Sequence, residues 1–129
     1  MKELSAEIKN KKVLIVDDVA SMRALLSALL RDLGITRIYE AGNGLAALKV
    51  LQKTSIDLVF CDWEMPEKNG LELLEELKQD QQLKNIPFIL VTSMAELDKV
   101  KKAMDVGVQN YIVKPFSEAT LIARINSVF

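Results

Sequence analysis

Residues Leu58 to Gly70 read LVFCDWEMPEKNG. A short apolar run, Leu58–Cys61, ends on the carboxylate of Asp62, and a second acid, Glu64, follows two residues later. The run does not alternate apolar with polar, the mark of a strand covered on both faces. Three other runs share that character: Val13–Val16, Phe88–Val91 and Tyr111–Val113. A weaker one, Arg37–Ala41, mixes charge with apolar residues and suits the edge of a sheet.

Helical spacing fills the intervals between these runs. Met22, Leu25, Leu26, Leu29, Leu30 and Leu33 form one stripe, with Gly34 placed to end it at the position after the cap. Leu45, Leu48 and Leu51 form a second behind Asn43 as N-cap, and Leu71, Leu74 and Leu77 a third. Leu97, Val100 and Met104 mark a fourth that stops near Gly107, and Leu121, Ile122, Ile125, Val128 and Phe129 close the chain. Strands alternating with helices predict an α/β domain of (βα)5 form: a doubly wound, five-stranded parallel sheet with helices on both faces. Residues 11–129 are expected to form that single domain, and residues 1–10 an N-terminal tail, poorly packed or folded as a short helical turn.

Composition narrows the chemistry. The 129 residues can bury a core without staples. A net charge of −1 offers no basic footprint for nucleic acid or a membrane surface. No apolar run approaches the length of a membrane span, so membrane insertion is not expected. The lone cysteine, Cys61, excludes an intrachain disulfide, reads as a small buried hydrophobe and suits a cytoplasmic setting. There is no histidine, which excludes Ser-His-Asp and Cys-His nucleophile systems and histidine-rich zinc sites. Chemistry falls to carboxylates, hydroxyls, lysines and a hard metal.

In open α/β sheets, ligands bind beyond the carboxyl ends of the strands. Those ends carry Asp17-Asp18, Asp62, Thr92-Ser93 and Lys114-Pro115, while the second strand ends at Gly42. Any one of these is ordinarily a turn or cap residue. Right-handed crossovers bring all the ends to one edge, however, and four of them carry coherent polar chemistry. Three carboxylates in one place repel each other; a divalent cation and the Lys114 ammonium would cancel their charge. Oxygen ligands in an incomplete shell suit Mg²⁺, with Mn²⁺ as a substitute. A carboxylate can attack phosphorus to form an acyl phosphate. Asp62 is then the candidate nucleophile and Asp17 and Asp18 the candidate metal ligands. The Thr92 hydroxyl, the Ser93 backbone N–H and Lys114 are the candidates for holding phosphoryl oxygens.

With those residues assembled, the stretches VLIVDDVASMR, CDWEMPEKNGLELL, VTSMAE and NYIVKPFSEATL resemble the response-regulator receiver family, and within it the stand-alone chemotaxis regulators. The likeness runs from about Lys12 to Phe129. It implies the flavodoxin-like strand order 2-1-3-4-5, which the periodicity alone does not set. It also implies phosphorylation of Asp62 by a histidine kinase, giving a signalling switch with intrinsic autophosphorylation and autodephosphorylation rather than an enzyme with an external product. Mg²⁺ would be bound by Asp18, Asp62 and the backbone carbonyl of Glu64, with Asp17 acting through a coordinated water. Thr92 and Tyr111 would form a switch pair that biases the face made by the fourth helix, fifth strand and fifth helix toward a downstream protein target. Lys114-Pro115 resembles the family's cis peptide. A phosphatase is a further candidate partner, and a flagellar motor switch is implied for chemotaxis members.

Three departures stand beside the matching residues, of which Asn69, before Gly70 where Asp is frequent, is a minor loop change. Glu64 and Met94 occupy positions where the chemotaxis regulators usually carry a neutral and a polar or charged residue, and they are expected to tune phosphoryl lifetime. Glu64 could instead reach Lys114 or a metal-bound water. Trp63, next to the phosphoacceptor, is expected to be partly exposed.

Other readings compete. GNGLAA, Gly42–Ala47, matches a dinucleotide fingerprint with Asp62 twenty residues beyond Gly42 as its ribose ligand. Against it, the preceding strand reads as an edge. An aspartyl-phosphate phosphohydrolase uses the same ingredients but needs a DxD arrangement and a cap. A receiver cut from a longer regulator would look the same in sequence, as would an interaction module that had lost phosphorylation.

Overall fold

The structure, a computed structural model, describes residues 3–65, 68–106 and 110–129, excepting the side chains of residues 97, 101–103 and 106. Five strands, β1 (Val13–Val16), β2 (Ile38–Ala41), β3 (Leu58–Asp62), β4 (Phe88–Ser93) and β5 (Asn110–Lys114), form one sheet in the order β2-β1-β3-β4-β5. All four pairings are parallel. Five helices connect and follow them: α1 (Ala20–Asp32), α2 (Gly44–Lys53), α3 (Gly70–Gln79), α4 (Leu97–Val106) and α5 (Glu118–Val128). A 3₁₀ turn, Met94–Glu96, precedes α4. The expected doubly wound architecture and strand order are both present.

Each strand sends alternate side chains to opposite faces. Val13, Ile15, Leu58, Phe60, Ile89, Val91 and Ile112 pack against Leu26 and Leu30 of α1 and Leu121, Ile122 and Ile125 of α5. On the other face, Leu14, Val16, Val59, Cys61, Phe88 and Leu90 meet Ala47 and Leu51 of α2, Leu73, Leu74 and Leu77 of α3 and Val100 of α4. Val16 pairs with Cys61, and Asp62 with Val91. The same register aligns Ser93 with Lys114. Extending the first face to the carboxyl edge therefore puts Asp17, Asp62 and Lys114 on a single side. Thr92 and Tyr111 lie in rows belonging to the opposite face.

The local signals mostly act as expected. Gly34 has φ of 97°, a conformation that suits glycine, one residue past the α1 cap. Asn43 caps α2 by accepting from the Ala46 N–H, and Asn69 and Glu72 form a reciprocal capping box on α3. β2 is an edge strand. Residues Ala6–Lys9 form the helical turn, and Leu4 ahead of it is buried in the α1/α5 core.

Three expectations need correction. The Tyr111–Val113 run, expected to be covered on both faces, lies in β5, which is the second edge of the sheet and has only Ile112 buried. The apolar stripes are wider than the buried faces: Leu25, Leu45, Met104 and Phe129 are exposed. In α1 the inward row is Leu26 and Leu30, and Leu25 lies about 100° around the helix from Leu26. Trp63 is also not partly exposed, having only 5% of its surface accessible. Its N–H donates to the Val91 carbonyl at 2.9 Å, extending the β3 ladder. The alternation thus carries its side chain into the Val59 and Cys61 row, against α3. The helix end expected near Gly107 lies outside the described residues.

Candidate functional site

At the carboxyl edge, Asp17, Asp18 and Asp62 each offer a carboxylate oxygen, and those oxygens all lie within 4.8 Å of one another. Asp17 and Asp62 are buried and Asp18 is exposed. Lys114 Nζ donates to Asp62 Oδ1 at 2.9 Å. The Lys114-Pro115 peptide bond is cis. Thr92 is fully buried, and among the described residues its hydroxyl makes only a long, 3.4 Å contact to the Ser93 carbonyl. Tyr111 is half-buried against the α3/α4 core, with the Arg124 guanidinium 5.9 Å from its ring centroid.

Burial sets the electrostatics. It raises the Asp62 carboxyl above its ordinary value, partly offset by the Lys114 hydrogen bond and charge and reinforced by Asp17 and Glu96. It raises Asp17 as well, against the Val19 N–H, which donates to Asp17 Oδ1 at 2.9 Å, and against Lys114. The Cys61 thiol is pushed far up by burial and then by Asp62 and Asp17, which suits an inert core residue rather than a redox centre. The acid cluster thus has excess negative charge that one lysine does not neutralise. Its donors are all oxygens, the set a hard divalent cation prefers.

Several contributors carry no obvious sequence signal. Arg23 donates through Nη1 to the Asp17 carbonyl at 2.6 Å and through Nε to Glu40 Oε1 at 3.1 Å, tying the acidic turn to the edge strand. Gly70 admits no side chain without movement, because a Cβ there would lie 2.7 Å from the Asp62 carbonyl oxygen. Its N–H donates to the Trp63 carbonyl at 3.0 Å, so α3 begins directly against the backbone that presents Asp62. Helical spacing could not mark either residue, since both act through main-chain contacts.

The mouth of the site differs from one expectation. Glu64 reaches neither Lys114 nor the acid cluster through a hydrogen bond; its Oε1 accepts from Lys99 Nζ at 3.2 Å. A contact with the Glu96 carboxyl, and then Lys99, hold the Glu64 carboxyl below its ordinary value. Met94 is 68% exposed. The Ser93 N–H also has a partner, as it donates to Glu96 Oε1 at 3.4 Å.

The dinucleotide reading gains no support from the fold. The strand before Gly42–Ala47 is an edge, Gly44 lies beside the Lys68 side chain, and the carboxylates clustered with Asp62 would repel a pyrophosphate.

A five-stranded, doubly wound parallel sheet with acids, a hydroxyl and a lysine at its carboxyl edge places the protein among the open α/β domains that carry their site at that edge. The response regulator receiver domain model matches residues 13–126. The chemotaxis protein CheY-3 of Vibrio cholerae is 43% identical over 121 residues, covering 94% of this chain and 93% of that protein. The chemotaxis protein CheY of Pseudomonas aeruginosa is 41% identical over 118 residues, covering 92% of this chain and 95% of its own length. Among solved structures, V. cholerae CheY4 superposes with a TM-score of 0.85 at 32% identity, over 93% of this chain and 99% of that one. The chain belongs to the response regulator receiver family and is CheY-like. No described helix is long and apolar enough to cross a membrane.

The raised Asp17 carboxyl makes a signed prediction. The folded protein binds that proton more tightly than the unfolded chain, so stability is lost as pH rises through the folded value. In chelator at pH 7, Asp17→Asn should raise the melting midpoint by a few degrees. The gain should vanish below the ordinary value of 3.8, where the carboxyl is protonated in both states. Added Mg²⁺ should narrow the gain at pH 7. Thermal melts across pH check this, and a variant less stable than the wild type at pH 7 in chelator contradicts it.

Proposed function

We propose that the protein is a phosphorylation-controlled signalling switch in which Asp62 accepts a phosphoryl group from the phosphohistidine of a histidine kinase. The observation that carries this reading is the convergence of Asp17, Asp18 and Asp62 with Lys114 at one sheet edge. An Asp62 carboxylate oxygen attacks phosphorus, an O–P bond forms, and the donor's P–N bond breaks. The leaving imidazole nitrogen keeps the electron pair and takes up a proton. Hydrolysis of the acyl phosphate by water returns the carboxylate and inorganic phosphate.

The residues divide the work. Asp17, Asp18, Asp62 and the Glu64 backbone carbonyl would hold Mg²⁺, or Mn²⁺ in its place. When bound, the cation supplies charge neutralisation for the phosphoryl oxygens. Lys114 exchanges its Asp62 partner for a phosphoryl oxygen, and the Thr92 hydroxyl and Ser93 N–H hold others. Phosphorylation would draw Thr92 inward, a movement it is well suited to because its hydroxyl has one long contact among the described residues to give up. Tyr111 would follow into the vacated space, changing the α4–β5–α5 face that a downstream protein reads. The chemotaxis relatives favour an output in chemotaxis, with a flagellar motor switch as the target, a phosphatase as a further partner and the cytoplasm as the setting. The single domain of residues 11–129 is the unit proposed to switch, either standing alone or as the receiver of a longer regulator.

Intact mass after incubation with Mg²⁺ and acetyl phosphate checks the chemistry. The expected result is one labile phosphoryl group, absent with chelator and absent in Asp62→Asn; no Mg²⁺-dependent adduct from any competent donor would contradict the reading.

Glu64 and Met94 are proposed to set phosphoryl lifetime from the rim of the site, by charge and by shielding. Glu64→Asn and Met94→Glu, alone and together, should change the decay rate several-fold while leaving the extent of phosphorylation unchanged. Equal decay rates in all four proteins would remove both residues from that role.

A further inference from the structure

The Ser93 N–H, one of the donors assigned above to the phosphoryl group, already makes a long contact with a carboxylate that the Ser93 hydroxyl holds in place. Ser93, Met94, Ala95 and Glu96 have the S-x-x-E spacing of a capping box, and Glu96 Oε1 folds back onto Ser93. It accepts from the Ser93 Oγ at 2.9 Å and from the Ser93 N–H at 3.4 Å. The other oxygen, Glu96 Oε2, is buried with no hydrogen-bond donor among the described residues, and the Glu64 carboxyl lies against the same side chain. A carboxylate oxygen buried without a partner is costly. Its position is therefore held against a penalty rather than solvated. The charge also reaches the phosphoacceptor, because Glu96 is among the groups that raise the Asp62 carboxyl.

We propose that Glu96 is a gate on the phosphoryl site, an internal anion that occupies the Ser93 N–H and hydroxyl in the unphosphorylated protein and must release them when Asp62 is loaded. The inference rests on the phosphoacceptor reading and adds a competitor to it. One N–H cannot serve a carboxylate and a phosphoryl oxygen equally, and two anions in one small space repel. Loading expels the Glu96 side chain. Its departure opens the Met94–Glu96 turn that leads into α4, so a charge placed on β3 is transmitted to the start of that helix. The neighbouring Glu64–Lys99 pair lies on the same side, with Lys99 on the first turns of α4. The ammonium of Lys99 is thus within the reach of local rearrangement as Glu96 leaves.

Beryllofluoride with saturating Mg²⁺ is the probe, since on a carboxylate oxygen it adopts phosphoryl geometry without phosphoryl transfer or hydrolysis. Its affinity is read from Trp63 fluorescence and from the Ser93 amide in proton–nitrogen NMR. Glu96→Ala, which removes the competitor, and Glu96→Gln, which keeps the side-chain length but not the charge, are each compared with the wild type. Both should bind beryllofluoride more tightly, by roughly threefold to tenfold for Glu96→Ala, the net worth of one hydrogen bond. Affinity for Mg²⁺ alone should stay the same or fall, because a nearby negative charge has been lost. The Ser93 amide of the apo Glu96→Ala protein should lack the shift caused by the carboxylate. In the wild type, that amide should move when beryllofluoride binds.

Beryllofluoride affinity no tighter than wild type in either variant, with the wild type binding normally, overturns the gate and leaves the phosphoacceptor reading intact. A wild type that shows no Mg²⁺-dependent beryllofluoride binding overturns both.

Discussion

The hydrogen-bonded ion pair between Lys114 and Asp62, 2.9 Å long and set among two further carboxylates, is the interaction on which the site depends. It exists because β3 and β5 end at the same edge and present the same face, a consequence of parallel pairing and strict alternation. Asp17 reaches the cluster by the same rule, one residue beyond the Val16–Cys61 pair. The sheet thereby concentrates negative charge in a partly desolvated place, where burial raises both Asp17 and Asp62. A folded protein gains nothing in stability from such an arrangement. On the proposed function, that cost prepares a nucleophile and a cation site, with Lys114 as a partial counterion before phosphorylation.

The same alternation separates chemistry from readout. Asp17, Asp62 and Lys114 continue the row that faces α1 and α5, whereas Thr92 and Tyr111 belong to the row facing α2, α3 and α4. A change at Asp62 must therefore cross the sheet to reach Tyr111, and β4 is the strand that spans the two. Thr92 and Ser93 at its end point toward both sides of that divide. The 3₁₀ turn that follows is short, and its Glu96 is held by Ser93. It is the natural place for a local charge event to become a shift in α4.

Much of the fold and the core of the site were legible in the residues themselves. Three of the four continuous apolar runs are buried parallel strands, β1, β3 and β4, while the fourth lies in β5, the second edge; Arg37–Ala41 predicted the edge at β2, and each run ended on a group that now lies at the carboxyl edge. Gly34 and Asn43 marked helix ends through local chemistry that depends little on tertiary context. What escaped depends on longer-range geometry. Trp63 was misread because an aromatic in a loop following an acid looks exposed, whereas the ladder to Val91 continues for one more residue and turns it inward. Leu25, Leu45 and Met104 fit helical spacing, but spacing defines a stripe wider than the row that touches the sheet. Arg23 and Gly70 act on main-chain atoms of Asp17, Asp62 and Trp63, contacts with no periodicity to betray them. The S-x-x-E spacing of Ser93 and Glu96 went unread, because only the fold shows Glu96 turned back onto the Ser93 hydroxyl and N–H.

The most direct measurement of the central claim is a crystal structure of the protein with Mg²⁺ and beryllofluoride. The account predicts beryllium on an Asp62 carboxylate oxygen and the cation among Asp17, Asp18, Asp62 and the Glu64 carbonyl. Lys114 Nζ should have moved from Asp62 to a fluoride. A cation bound elsewhere, or Lys114 still paired with an unmodified Asp62 at saturating ligand, would contradict it.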